Sequence, residues 1–469
     1  MINLNTEKSV SKDGQGDLRP FLQRYEAARQ RRSAWESLWQ ESYEYALPQR
    51  NSFTGGGVAD RRMEKIYDAT ALDAVDSLAA SLLGNLTPPW TQWFGLKPGP
   101  DLSAAETESL SPVLEQAGRT LQAHFDRSNF IVEMHQCYLD LIVGGTAALM
   151  LEESEPGDFS AFRFTAIPLN DIVLEEGVSG MLDGSWRRLA LTLRQLQSRY
   201  PAASLPDDLI RRGEKDPQSR FTILESILPA AFGNYDYRAI LQEGSHSLLL
   251  RQGQFSSSPV IAFRWLKAPG EIYGRSPVMK ALPDIKTANK AVGSAGLKPL
   301  DMPGRFDISQ LVLEDLRNRI RHALLADRLA PISSPRMTAT EVIERSAEMS
   351  LLLGATYGRL QSKLLTPLVQ RAFAILRRRG EVPDIRLDGR LVALDYRAPL
   401  ARAQGQRNIQ NTLSWIESVL RMGPEASAAI DLAAAARFLG DALGVPVDLI
   451  RQPVPLPPQE VSDVLPQTV

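Results

Sequence analysis

The sequence predicts a mainly helical α+β chain with its strands gathered into one central block. Three observations lead there. From Leu18 to Val143 the apolar residues recur at helical three-to-four spacing, whereas from Thr146 to Trp265 the period changes to short strand-like runs with turn residues between some of them. Glu271 to Gly380 then holds three helix-start signals in succession. Helices first and a mostly antiparallel sheet second argue against repeated βαβ units.

Composition narrows the function classes. The chain has 469 residues, enough for two to four domains. Its net charge of −2, with charges of both signs throughout, is not that of a polycation built to grip phosphate. One cysteine, Cys137, excludes an intrachain disulfide framework and fits a reducing compartment. His135 lies close to it, but without a second thiolate no zinc site is expected, and His124, His246 and His322 fall in other elements. The apolar run Tyr138–Leu151 is broken by Gly144 and Gly145 and is too short to span a bilayer, and Met1–Gly16 is too polar for a signal peptide. The expectation is a soluble protein, intracellular when made, without cofactor or metal.

Met1–Asp17 lacks periodicity and reads as a flexible arm. Leu18–Leu47 is helical, with Phe21, Leu22, Tyr25, Ala28, Trp35, Leu38 and Trp39 towards one side, and Pro48 ends it. The basic run Arg29–Arg32 admits three readings: a DNA contact, a subunit contact or a solvated helix face. The loop at Gly55–Gly57 lacks the lysine of a phosphate-binding loop. Ile66–Leu86 is a second helix, and Asp68, Asp73 and Asp76 read as surface acids on it, since no histidine or second carboxylate cluster lies near. Around the break Pro88-Pro89, the aromatics Trp90, Trp93 and Phe94 read as a wedge between two elements, with an anchor between subunits as the alternative. Ser103 and Glu106 have capping-box spacing and open a helix to about Asp126, and Phe130–Val143 forms the next. Strands follow at 146–153, 162–167, 185–192, 221–228, 235–242, 246–250 and 260–265, interrupted by a short helix at Leu193–Tyr200.

The second half opens on a strand end, Glu271–Pro277. Ser276 caps a helix with Pro277 at its first position, Asp307 with Gln310 opens another, and Thr338 with Glu341 opens a third. The third carries a stripe of Ile343, Ala347, Leu351, Gly354, Gly358, Gln361, Leu365, Leu368, Ala372 and Ile375, about 60 Å long if unbroken, with a kink expected at Pro367. Gly354, Ala355 and Gly358 are small enough to let another backbone approach. Arg377, Arg378 and Arg379 precede Gly380, where cations complement the carbonyl end of a helix and glycine takes the left-handed cap. Extended pieces follow, then a helical pair at Gln406–Met422 and Glu425–Leu443, then a stiff proline-rich tail. No G-x-S-x-G or H-E-x-x-H motif appears, and GEIYGRS at Gly270–Ser276 is one residue too short for a phosphate loop, with Arg275 in place of lysine.

Several strings in order carry a family resemblance. EIYGRSPVMKALPDIKTANKA, FDISQLVLEDLRNRIRHALL, MTATEVIER and LLTPLVQRAFAILRRRG, with YDATALDAVDSLAASLLGNLTPPWTQWFGL, GGTAALMLEE and FRFTAIPLNDIVLEEG before them, resemble the portal (head-to-tail connector) proteins of short-tailed double-stranded DNA bacteriophages. The resemblance spans Tyr25 to Ile450. It implies a ring-forming fold: arm 1–17, wing 18–270, first stem helix 271–291, clip remnant 292–306, second stem helix 307–326, channel loop 327–337, long wing helix and return segment 338–405, helical crown 406–450 and tail 451–469. It also implies a dodecameric, cyclic homo-oligomer at one capsid vertex, non-enzymatic, conducting double-stranded DNA without sequence preference during packaging and ejection. Its implied partners are the terminase large subunit, the tail adaptor and tail proteins, and the major capsid and scaffolding proteins, with no membrane.

On that resemblance Lys286, Lys290, Arg317 and Arg321 on the stem helices, with Arg328 and Arg336 in the channel loop, are the DNA-channel candidates. Lys280 and Arg319 continue the two basic rows. The alternative for the stem bases is pairing with Asp284, Glu314 or Asp315. Gly293, Leu297, Lys298 and Asp301 are the candidates for motor and tail docking. The clip segment is shorter than the family's: either the clip is reduced, or a stretch is missing at Gly293–Gly296, and the abrupt join favours the latter. From other classes come a DNA-processing enzyme, either a nuclease or a packaging ATPase, and a monomeric head protein.

Overall fold

The computed structural model describes residues 6–8, 18–50, 66–89, 91–243, 246–295, 306–327, 354, 356–385, 387–398, 412–423 and 430–443. The chain divides into Met1–Ala398 and Pro399–Val469. The first unit begins with β1 (Thr6–Lys8), α1 (Arg19–Ala46), α2 (Thr70–Leu86), β2 (Phe94–Pro98), α3 (Ala104–Arg127) and α4 (Phe130–Gly144). Then come β3 (Thr146–Glu153), β4 (Phe162–Ile167), β5 (Ile172–Glu175), β6 (Gly184–Thr192), α5 (Leu193–Arg199), α6 (Asp207–Lys215), β7 (Arg220–Pro229), β8 (Tyr235–Glu243), β9 (His246–Phe255) and β10 (Val260–Arg264). It closes with α7 (Pro277–Ala295), α8 (Phe306–Ala323), a π turn (Gln361–Leu365), α9 (Thr366–Arg378) and β11 (Val392–Tyr396). In the second unit residues 412–421 are helical and α10 spans Leu432–Leu443, both within the predicted helical pair.

The strands form three antiparallel sheets, ordered β1-β9-β8-β7-β6-β5, β10-β3-β4 and β11-β2. All seven predicted strands are present. Four elements were not anticipated. β1 lies in the expected flexible arm and pairs Thr6–Lys8 with Gln252–Gln254. β2 pairs across to β11. β5 and the helix α6 also went unread.

Apolar burial ties the helices to the sheets. Tyr25 and Ala28 of α1, with Phe21 and Leu22, pack on Val173, Trp186, Leu224 and Leu228 of the large sheet. The wedge reading holds for Trp93 and Phe94, which are buried against Phe125 and Phe130, with Trp93 stacked 6.0 Å from Phe130. Each such ring contributes about 1.5–3 kcal/mol of transfer free energy. Trp90 lies outside the described residues. The Ser103–Glu106 capping box is formed at the start of α3.

Three sequence readings change. Arg32 is only 7% exposed and donates to the carbonyls of Leu169, Asn170 and Ile172 and to Glu36, so it clamps the core rather than meeting solvent or a partner. α2 begins at Thr70 instead of Ile66, because the Asp68 carboxylate takes the Thr70 N–H and holds the chain in a turn there. Glu271–Pro277 is not a strand end but a turn with a single bridge, Leu266 to Arg275.

The expected kink at Pro367 appears as the π turn ahead of it: both the amide and the hydroxyl of Thr366 donate to the carbonyl of Gln361. One extra residue rotates the helix phase by about 100°. From the last residue of the turn onward, Leu365, Leu368, Ala372 and Ile375 are buried as predicted. Ahead of and within the turn Tyr357, Leu360 and Leu364 are also buried, each one position off the predicted stripe. Gly358 is accordingly exposed, and no atom approaches within 4 Å of where its Cβ would lie. Gly380 takes the left-handed cap, with φ of 72°, and Arg377, Arg378 and Arg379 pair with Asp384, Glu153 and Glu381. The start of the long helix at Thr338, its residues Ile343, Ala347 and Leu351, the Gly55–Gly57 loop and the proline-rich tail lie outside the described residues.

Helical layer, sheet and α7 meet at a contact between two backbones. A Cβ on Gly145 would lie 2.1 Å from the carbonyl oxygen of Gly274, and one on Gly274 would lie 2.2 Å from that of Gly145. Ala at 274 has no room without moving main chain, and Gly274→Ala is expected to lower the free energy of unfolding by at least about 2 kcal/mol. Gly84 is an exposed position of α2 with nothing within 4 Å. Gly84→Ala is expected to raise stability by roughly 0.5–1 kcal/mol. Urea midpoints of the two variants check both signs.

Candidate nucleic-acid interface

Helices α7 and α8 pack on each other and bury one face each. α7 opens as predicted: the Ser276 hydroxyl accepts the amide of Met279 at 2.9 Å and donates to the carbonyl of Val143 at 2.8 Å. Its buried side is Val278, Ala281, Leu282, Ile285 and Ala288, the spacing of one helix face. α8 is helical already at Phe306, one residue ahead of the predicted Asp307, and buries Leu316, Ile320 and Leu324 near and beyond its end. Lys280, Lys290, Asn318, Arg319, Arg321 and His322 remain on the open side.

The basic residues on this pair have different fates. Lys286 reaches Glu41 of α1 at 3.0 Å. Arg317 is held between Asp68 at 2.9 Å and Glu314 at 2.9 Å. Arg319 pairs with Asp284 at 2.9 Å, and Arg321 donates to the side chain of Asn318. Among the described residues Lys280 and Lys290 have no ion-pair partner. Pairing with Asp284 and Glu314 was foreseen; Glu41 and Asp68 were not. Gly293 has Tyr67 against it, whose ring lies 2.6 Å from where a Cβ would sit. Leu297, Lys298, Asp301, Arg328 and Arg336 lie outside the described residues.

Asp68 proves to be the clasp of the pair rather than a surface acid. It is 8% exposed. Beside it, Asn289 of α7 accepts the amides of Tyr67 and Asp68 at 2.6 and 3.2 Å, while Arg317 of α8 reaches the Asp68 carboxylate. One point just ahead of α2 thus ties down both helices. Burial works against the charge of Asp68, but hydrogen bonds from Thr70 and Arg317 outweigh it and hold its carboxyl below the usual range. A signal for this existed: Asn289 is a polar residue on the apolar face of α7, and Asp68-x-Thr70 has the spacing of a side-chain-capped turn.

Between α7 and α8 lies an open groove of about 590 Å³ lined by Lys280, Ala281, Asp284, Asn318, Arg319, His322, Ala323 and Asp327. Arg319 pairs with Asp284 within it and His322 meets Asp327, while Lys280 has no ion-pair partner among the described residues. A second polar cavity of about 520 Å³ beside β3 brings Glu152, Glu153, Glu155 and Asp158 against Arg163, Arg187 and Arg199. Deeper in the sheet, Glu225 accepts from Arg199, Tyr200 and Tyr237; burial opposes its charge, but Arg199 and Arg187 lead in holding its carboxyl low. Among the described residues no His, Cys, Asp or Glu cluster is placed to hold a metal ion, and no helix is long and apolar enough to cross a membrane.

Comparison with known proteins bears on both halves of the chain. The family model described as bacteriophage head to tail connecting protein matches residues 19–295 and 290–450. The probable portal protein of Bordetella phage BPP-1 is 24% identical, over 92% of this chain and 88% of its own length. The portal protein of Salmonella phage epsilon15 is 25% identical, over 92% and 87%, and that of Escherichia phage T7 is 20% identical, over 77% and 75%. A chain from the virion of a native gene transfer agent particle matches 82% of this chain and 94% of its own at 12% identity, with a TM-score of 0.33, and no conclusion rests on that likeness.

The clasp makes the helix pair sensitive to acid. Because the folded Asp68 holds its proton less tightly than the unfolded one, its contribution is full above about pH 4 and fades as the pH falls through the lower folded value. Asp68→Asn is therefore expected to destabilise the protein at pH 6 and to lose that handicap towards pH 3. Urea midpoints of both proteins across that range test the convergence.

Proposed function

The chain belongs to the bacteriophage head to tail connecting protein family, and from that premise we propose that it forms a dodecameric ring at one capsid vertex, the conduit for packaging and ejection of the genome. The observation that carries this reading is a family match on both sides of residues 290–295, covering nearly the whole chain. Portal proteins are structural components of the virion that form ring assemblies with capsid and tail components, and they are not enzymes. A nuclease or packaging ATPase is set aside on that ground.

The charge arrangement supports a conduit more than a clamp. Lys290 and Arg321 stand exposed on α7 and α8, whereas Lys286 and Arg317 are engaged by Glu41 and Asp68. Repeated round a ring, Lys290 and Arg321, with Arg328 and Arg336 of the 327–337 loop, form bands that touch phosphates without reading bases. Sparse, exposed cations hold a duplex weakly and release it with its counterions, which a moving genome requires. In this reading the terminase large subunit docks first and the tail adaptor later, at the segment containing Gly293, Leu297, Lys298 and Asp301. The family match is interrupted where the join was noted, which supports a clip that departs from the family pattern. Major capsid and scaffolding proteins contact the outer parts of the ring.

End-on electron micrographs of the purified protein are expected to show rings with a central hole; compact particles without a bore overturn the reading. Lys290→Glu with Arg321→Glu is expected to leave ring yield unchanged and to lower the DNA packaged per particle several-fold. Equal packaging by the variant removes these two residues from the channel wall.

A further inference from the structure

One end of the large sheet carries two hairpin tips whose apolar side chains stand in water. The β5–β6 connection follows Glu175 and the β7–β8 connection follows Pro229, and because β6 pairs with β7 both project from the same end. Val178 stands on the first tip and Phe232 on the second, both fully exposed. Two strand spacings put the tips about 10 Å apart. Phe232 is held in the left-handed region, with φ of 58°, and Gly233 follows at 75°. The Asn234 amide closes this turn on the Ala231 carbonyl. Asn, Asp or Gly takes the first of these positions readily, whereas an aromatic residue is strained there. Phe232 thus costs the fold at its backbone and gains nothing from burial, which marks a side chain placed for contact with another molecule.

The flank of the first tip is basic. Arg264 donates to the Gly180 carbonyl and, together with Lys267, to the Glu176 carboxylate. The Lys363 amine lies against the Met181 sulfur and has no anionic partner among the described residues. Arg359 donates to the carbonyl of Trp265, next to Leu266, which is 50% exposed. Four cations therefore stand here against Glu176 and against Asp183, whose carboxylate is turned to the amides of Gly177 and Gly184.

Apolar tips beside a net positive flank complement a partner that is both apolar and acidic. A phosphate backbone answers the cations but leaves Val178, Phe232 and Leu266 in water. Strand ends, unlike a sheet edge, offer no row of free backbone groups, so an added strand has nothing to pair with. A helix satisfies its own backbone and can lie across the tips, and its residues i and i+7 are about 10.5 Å apart, matching their spacing. We propose that this end of the large sheet, Val178 and Phe232 with Lys267 and Lys363, docks an acidic amphipathic helix of a partner protein. The proposal does not depend on the ring reading.

The probe is a fluorescein-labelled helical peptide with leucine along one face and glutamate flanking it, titrated with the full chain and read by fluorescence anisotropy. Phe232→Asn, which suits the left-handed turn, is expected to keep or raise the urea midpoint while weakening binding at least about tenfold. Lys267→Gln/Lys363→Gln is expected to weaken it by about tenfold, and added salt to weaken wild-type binding. No binding by the wild type overturns the proposal, as does undiminished binding by Phe232→Asn or by the folded lysine variant. Equal binding of a peptide with lysine in place of each glutamate overturns it too. Random-sequence duplex DNA that displaces the peptide and binds Phe232→Asn as well as wild type assigns the patch to nucleic acid and overturns the helix. If circular dichroism shows the lysine variant unfolded, Val178→Ser replaces it, and wild-type affinity in that protein overturns the proposal equally.

Discussion

The close approach of Gly145 to Gly274 is the constraint on which the arrangement of Met1–Ala398 depends. Gly145, with φ of 71°, ends α4 in the left-handed region and turns the chain directly into β3. Gly274 lies against it two residues ahead of the Ser276 cap, whose hydroxyl takes the carbonyl of Val143. The direction of α7 is thereby set by the end of α4. The surrounding groups are satisfied in the same corner: the Trp39 indole donates to Gly144, the Gly274 amide to the Thr146 hydroxyl, the Trp265 amide to Gly145 and the Leu174 amide to the Tyr273 hydroxyl. A buried junction with its donors and acceptors matched has one low-energy geometry, because any slip leaves several groups unpaired at once.

The distribution of charge follows a second constraint: a basic residue serves either the fold or a ligand. Arg32 and Arg371 are both buried and engaged within the fold, Arg32 by Glu36 and the carbonyls of Leu169, Asn170 and Ile172, Arg371 by those of Leu151 and Ser257. Arg317 and Lys286 bind the helix pair to α2 and α1. Among the described residues, Lys280 and Lys290 are left exposed on the pair without an ion-pair partner.

Much of the fold could be read from local chemistry. The caps at Ser103 and Ser276 and the glycine stop at Gly380 are hydrogen bonds or dihedral preferences within a few residues, and all three stand where expected. The strands stand too, some of them, such as β3 and β10, buried on both faces. Other elements had no local signal. β1 is held by backbone pairing with Gln252–Gln254, for which the polar side chains of Thr6–Lys8 are irrelevant. β2 is a strand because Val392–Tyr396 lies beside it. The π turn defeated the stripe because one added residue changes the phase of everything on one side of it.

The sequence by itself determined the helix caps at Ser103 and Ser276, the stop at Gly380, seven of the strands and which family the motifs resemble, because these depend on neighbours within about one turn or on motif order. Only the tertiary structure decided which cations remain available. Arg317 and Arg321 are indistinguishable in a basic row four residues apart, yet Arg317 meets Asp68 from a position 249 residues away while Arg321 faces outward. An ion pair is a matter of distance in space, and nothing in the local chain encodes a partner so remote.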